Sequence, residues 1–89
     1  MKFEFDPAKN ERNIRERNLP FQLAAEFDWA TALILPSDRK GEDRYLATGF
    51  LGGKLHALVF TRRGDSLWVI SLRRANPKEV RRYEKETQS

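Results

Sequence analysis

Two glycine turns fix what the second half of this chain can become. Gly52-Gly53 and Gly64-Asp65 each separate apolar-rich runs by two residues. A loop that short needs left-handed backbone at its centre, which glycine adopts without steric cost, and it joins antiparallel strands. The runs Arg44–Leu51, Lys54–Arg62 and Ser66–Arg73 therefore read as a meander.

The flanking segments are punctuated as clearly. Lys2–Phe5 alternates like a short strand. Asp6-Pro7 opens a helix to about Arg17, with Asp as N-cap and Pro at the first helical position, where its missing N–H costs nothing. That helix is almost wholly polar, with Ala8 and Ile14 as its few apolar contacts, so it must dock on something to stay folded. Pro20 opens a second short helix with Phe21, Ala24 and Ala25 on its apolar side. Thr31–Leu35 is strand-like, and residues 36–42 are a polar loop. Asn76-Pro77 repeats the capped start, and Glu79 completes a capping-box pattern for a helix to about Glu86. The expected fold is α+β, a single domain over residues 1–89. Its antiparallel meander is packed on one face by the N-terminal helices and a C-terminal helix.

Charge is distributed unevenly. Residues 1–51 hold 8 Lys/Arg against 9 Asp/Glu, whereas residues 52–89 hold 9 against 4, so the overall +4 comes from the C-terminal part. There the arginines come in pairs, Arg62-Arg63, Arg73-Arg74 and Arg81-Arg82, on regular elements rather than in a tail. A folded basic surface of this kind suits a phosphate backbone better than an anionic membrane. The absence of cysteine removes disulfides, thiol nucleophiles and thiolate zinc sites, and fits a reducing cytoplasm. A single histidine, His56, argues further against zinc. No apolar run approaches the roughly 18 residues of a membrane span, and no signal peptide pattern opens the chain.

Two tight turns also predict a register, and register predicts faces. Continuous pairing sets Gly49 opposite His56 and His56 opposite Arg73. One face then holds Leu46, Thr48, Phe50, Leu55, Ala57, Val59, Trp68, Ile70 and Leu72, and is expected to be the core. The other holds Tyr45, Ala47, Gly49, His56, Leu58, Phe60, Arg62, Val69, Ser71 and Arg73. At one end of this second face the rows Gly49–His56–Arg73 and Ala47–Leu58–Ser71 would leave room for a ligand beside an imidazole, a guanidinium and a hydroxyl.

No glycine-rich phosphate loop, HExxH, nucleophile elbow or spaced carboxylate pair is present. The residues that remain suit RNA cleavage without a metal. That reaction needs a base for the 2′-OH proton, a cation for the charge growing on the phosphorane, and an acid for the leaving 5′-oxygen. Arg73 and Arg62 are the candidates for the charge, and His56 and Tyr83 for the protons. Lys54, Arg63, Arg74, Lys78, Arg81 and Arg82 are candidates for gripping the RNA backbone.

The chain resembles the BrnT family of bacterial toxins from type II toxin–antitoxin pairs. The resemblance is carried by Phe5, Asp6, Pro7, Lys9, Asn13, Phe21 and Ala24, then Gly41-Glu42 and Arg44. Its closing stretch holds Thr61, Arg63, Ile70-Ser71, Arg73, Ala75, Glu79 and Tyr83. It implies a RelE-like fold, a ribonuclease that suppresses translation, and a cognate BrnA-like antitoxin that neutralises it. Operator DNA would be reached only through the antitoxin complex, and neither metal nor organic cofactor is implied. This chain departs from the family where members commonly carry Lys-His-Gly and it has Glu16-Arg17-Asn18. It departs again at Ser66 and Trp68, where many carry arginine. Two other readings compete: a catalytically weak or inactive module that binds nucleic acid or antitoxin, and a structural partner whose basic surface answers an acidic protein.

Overall fold

The computed structural model describes residues 1–37 and 43–88, and the Gly41-Glu42 resemblance falls outside them. Its elements are β1 (Lys2–Phe5), α1 (Pro7–Arg17), a 3-10 helix (Phe21–Glu26), β2 (Leu33–Ser37), β3 (Arg44–Leu51), β4 (Lys54–Arg63), β5 (Ser66–Arg74) and α2 (Pro77–Thr87). They form one five-stranded sheet in the order β1-β5-β4-β3-β2. Strands β2 to β5 are an antiparallel meander, whereas β1 lies parallel to β5 at the sheet edge, with Lys2 beside Ser66 and Phe5 beside Val69.

Local chemistry accounts for the joints. Gly52 and Gly53 both take positive φ, 59° and 79°, the backbone that a two-residue hairpin loop requires. The Asp6 side chain accepts from the Ala8 N–H at 3.0 Å to start α1. Asn18 closes the helix in the left-handed region, its N–H donating to the Ile14 carbonyl. At α2 the capping box is complete: the Glu79 N–H donates to Asn76 Oδ1 at 2.8 Å, and the Asn76 N–H donates to Glu79 Oε1 at 3.0 Å.

The core lies on the face carrying Ala47, Leu58, Phe60, Leu67, Val69 and Leu72, under Phe21, Ala24 and Phe27. Fully burying side chains such as Phe21, Leu58, Val69 and Leu72 is worth about 1.5–3 kcal/mol each. This reverses the expected assignment of faces. Ala47, Gly49, His56 and Leu58 lie under the N-terminal layer, and Leu46, Phe50 and Val59 lie on the more open side. The helices also do not share one face. α1 and the 3-10 helix cover the core face, while α2 lies on the opposite face over β2 and β3, where the Tyr83 ring meets Phe50 edge-on at 5.7 Å.

Half of the register holds as expected, with Gly49 opposite His56 and Arg63 opposite Ser66. Between them β5 carries one residue more than β4: Phe60 faces Val69, but Val59 faces Ser71. Ile70 is the extra residue of a β-bulge, and everything after it moves by one position. Arg74, not Arg73, therefore pairs with His56, and Leu72, not Ser71, pairs with Leu58. Leu72 drops into the core and Arg73 emerges on the open face, opposite Ala57.

Polar helix α1 docks through amides. Ile14 remains 38% exposed, while Asn10 and Asn13 are buried. Asn13 Nδ2 donates to the carbonyls of Leu19 (2.7 Å) and Leu72 (2.8 Å), and Asn13 Oδ1 accepts from Arg17 at 2.6 Å. Asn10 Oδ1 accepts from the Phe21 N–H at 2.7 Å. The Leu72 carbonyl lies beyond the last residue of β5 that β1 reaches, so Asn13 satisfies a group that would otherwise cost about 1–3 kcal/mol.

Candidate nucleic-acid interface

Helix α2 covers only part of its face. The Ala75 N–H, donating to the Leu55 carbonyl at 3.1 Å, turns the chain out of β5, and α2 then runs over the Thr48–Phe50 end of β3. The uncovered part begins at a cleft of about 220 Å³. Its floor is Leu33, Leu35, Leu46 and Thr48, and its wall is Asn76, Lys78, Glu79 and Arg82. Beyond it the pairing continues the face through Val59 and Ser71, then through Arg44, Thr61 and Trp68. Thr61 is buried, with its hydroxyl donating to the Asp43 carbonyl at 2.5 Å. The Arg63 guanidinium lies 4.3 Å from the centre of the Trp68 ring.

Arg73 is held at the edge of this surface. Its two terminal nitrogens donate to Glu79 Oε1 and Oε2, both at 2.8 Å, and one also reaches the Arg74 carbonyl at 3.3 Å. The hydrogen bond from Arg73 pulls the Glu79 carboxyl below its usual range against the opposing effect of burial, and the Asn76 N–H adds to it. The bond to Glu79 raises Arg73 above an already high value, so each partner favours the charged form of the other.

The other predicted site residues scatter. His56 lies on the core face, 5% exposed, with Nδ1 donating to the Lys54 carbonyl at 2.8 Å. The space above Gly49 holds no ligand, because the Phe27 ring stands 2.8 Å from where a Cβ would be. Tyr83 is buried, its hydroxyl donating to the Thr31 carbonyl at 3.1 Å. Arg62 is exposed at the rim of a different cavity, about 340 Å³, lined by Trp29, Tyr45 and Phe60 on the core side of the sheet. Arg62 and His56 thus face away from Arg73, and the expected four-residue cluster does not form. Lys78 and Arg82 line the cleft, whereas Lys54, Arg74 and Arg81 are exposed outside it.

Sequence reasoning missed two residues of this surface. Arg44 faces Thr61 across the β3–β4 pair, and Trp68, expected in the core, is half-buried outside it. The alternation in β5 did carry the signal, since Trp68 is opposite Thr61 on the first side of the bulge, where the predicted register holds.

The α+β domain carries a basic, half-covered sheet face, and comparison with known proteins defines the class as a ribonuclease toxin of a type II toxin–antitoxin system. The family described as ribonuclease toxin, BrnT, of type II toxin–antitoxin system matches residues 5–79. Among solved structures, the crystal structure of the Brucella abortus ribonuclease toxin, BrnT, is similar at a TM-score of 0.73 and 32% identity. The alignment covers 85% of this chain and 97% of that one. Comparison with curated protein sequences found no match. The chain belongs to the BrnT family.

Proposed function

We propose that this protein is a cytoplasmic toxin that cleaves RNA without a metal, suppresses translation and is silenced by a BrnA-like antitoxin. Operator DNA is reached only through the toxin–antitoxin complex. The RelE-like reading of the fold is supported by the mostly antiparallel sheet with helices on both faces. The observation that carries the proposal is Arg73, fixed by Glu79 at the rim of the uncovered sheet face, with Lys78 and Arg82 alongside. A phosphodiester lying along the cleft meets fixed positive charge where the phosphorane would form.

In the reaction the 2′-oxygen forms a bond to phosphorus as its proton leaves, and the bond to the 5′-oxygen breaks as that oxygen gains a proton. The products are a 2′,3′-cyclic phosphate and a 5′-hydroxyl. Arg73 donates to the non-bridging oxygens, and Lys78 and Arg82 hold the flanking phosphates. Arg63 and Arg44 extend the grip along the sheet, while Lys54, Arg74 and Arg81 contribute only to the long-range field.

A second reading, a catalytically weak binding module, is favoured by one observation: His56 and Tyr83 are both buried away from the open face. One experiment separates the two. Purified protein is incubated with single-stranded RNA in a chelator, beside Arg73→Ala. Cleavage to cyclic-phosphate ends that the variant lacks supports the toxin, and salt-sensitive binding without cleavage supports the module.

A further inference from the structure

Trp68 stands apart from most large aromatic residues of the chain; Phe50, also outside the core, meets the Tyr83 ring of α2 instead. Phe3, Phe5, Phe21, Phe27, Trp29, Tyr45 and Phe60 form or pack against the core, and Trp68 does not. It lies on the open sheet face opposite Thr61, half-buried, with the Arg63 guanidinium 4.3 Å above its ring. A large ring left outside the core on a basic surface loses burial that a core position would supply, and adds a flat π surface beside cations.

We propose that Trp68 is the stacking platform for one unpaired base of single-stranded RNA, with Arg63 as its partner. This rests on the reading above that RNA lies along this face. In the free protein Arg63 occupies the indole. When RNA binds, a base takes the ring and the guanidinium moves to the adjacent phosphate. A stacked base contributes more than an exposed cation–π contact, and a phosphate oxygen accepts from the guanidinium. Duplex RNA keeps its bases stacked on one another and offers none to the ring, so the site selects single strands.

The test uses the intact protein and an eight-nucleotide single-stranded RNA with 2′-O-methyl groups throughout, which cannot be cleaved. Binding should quench tryptophan emission in the wild type and not in Trp68→Leu, where only Trp29 remains. Trp68→Leu should weaken binding about 5- to 150-fold with the salt dependence unchanged, and Trp68→Phe should keep most of the affinity. Arg82→Ala should instead lower the salt slope by about one. Independently of any variant, a strand with abasic sites should bind the wild type more weakly than the intact strand. Equal binding of abasic and intact strands, or an unaffected Trp68→Leu, overturns the stacking proposal while leaving the RNA face in place. No binding of the intact strand at low salt overturns both.

Discussion

Arg73 and Glu79, six residues apart, meet through two parallel bonds of 2.8 Å, and the same carboxylate closes the cap of α2. One side chain thus fixes both the helix start and the direction of the guanidinium. The two roles separate chemically. Gln at the third helical position still completes a capping box but has no charge for arginine. Glu79→Gln should keep α2 helical by circular dichroism, yet lower RNA cleavage by about tenfold or more, the scale of one lost charge-assisted bond. Unchanged cleavage in that variant would reduce Glu79 to a cap.

The same pair predicts a direction for pH. The folded Glu79 carboxyl titrates below its unfolded value because Arg73 holds its ionised form. Its contribution to stability is therefore fully present above the unfolded carboxylate range and is lost as pH falls through the folded value. Urea midpoints for wild type and Glu79→Gln, followed from neutral to acid pH, should differ at neutrality and converge in acid. A constant difference across that range contradicts the linkage.

Asn13 holds together segments 59 residues apart in sequence, donating to both the Leu19 and Leu72 carbonyls. Asn13→Ala leaves a buried carbonyl without its partner and should cost about 2–4 kcal/mol in urea denaturation. Ile14→Ala, at a far more exposed position, should cost under about 1 kcal/mol. Equal losses would mean that α1 docks through its apolar contacts after all.

Gly49 sits in a strand under an aromatic ring, and a methyl group there would stand 2.8 Å from Phe27 and 3.0 Å from Ala32. Phe27 is itself buried in the core cluster. Gly49→Ala should destabilise by about 1–3 kcal/mol, and Gly49→Val by more, read as a fall in melting temperature. A rise in either would show that the glycine is there for another reason.

His56 supplies a negative control. It is buried beneath the N-terminal layer, and Asn at this position keeps an N–H donor near the Lys54 carbonyl. His56→Asn should cleave RNA at the wild-type rate per folded molecule. A loss of about a hundredfold, the scale of a missing proton-transfer group, would return the imidazole to the mechanism.

Element boundaries were legible in the sequence because turns and caps are local chemistry. Gly52-Gly53, Gly64-Asp65, Asp6-Pro7 and Asn76-Pro77 all sit at the expected ends. The faces were not legible, for two reasons. Both sides of this sheet carry helices, so apolar residues occur on both, and the alternation that separates core from surface is blunted. Leu46 and Val59 looked as buried as Leu58 and Phe60. The second reason is the Ile70 bulge, which no turn or cap announces. It placed Arg73 on the wrong side in the predicted rows, and with it the site. Docking of α1 by asparagines was equally silent, since hydrophobic periodicity registers apolar contacts and not amides reaching backbone carbonyls.

Ile70 also makes the interface depend on a count of residues. Strand β5 changes parity there, so that Trp68 and Arg73, an odd number of positions apart, look out on the same side. Regular pairing through Ile70, with no residue removed, would exchange the outlooks of Leu72 and Arg73, turning a leucine outward and a guanidinium inward without altering either side chain. Deleting Ile70 itself should therefore leave both outlooks in place, whereas inserting one residue between Ser71 and Arg73 should turn the guanidinium inward and be far less tolerated. The spacing from Trp68 to Arg73 can be read directly in any relative of this chain.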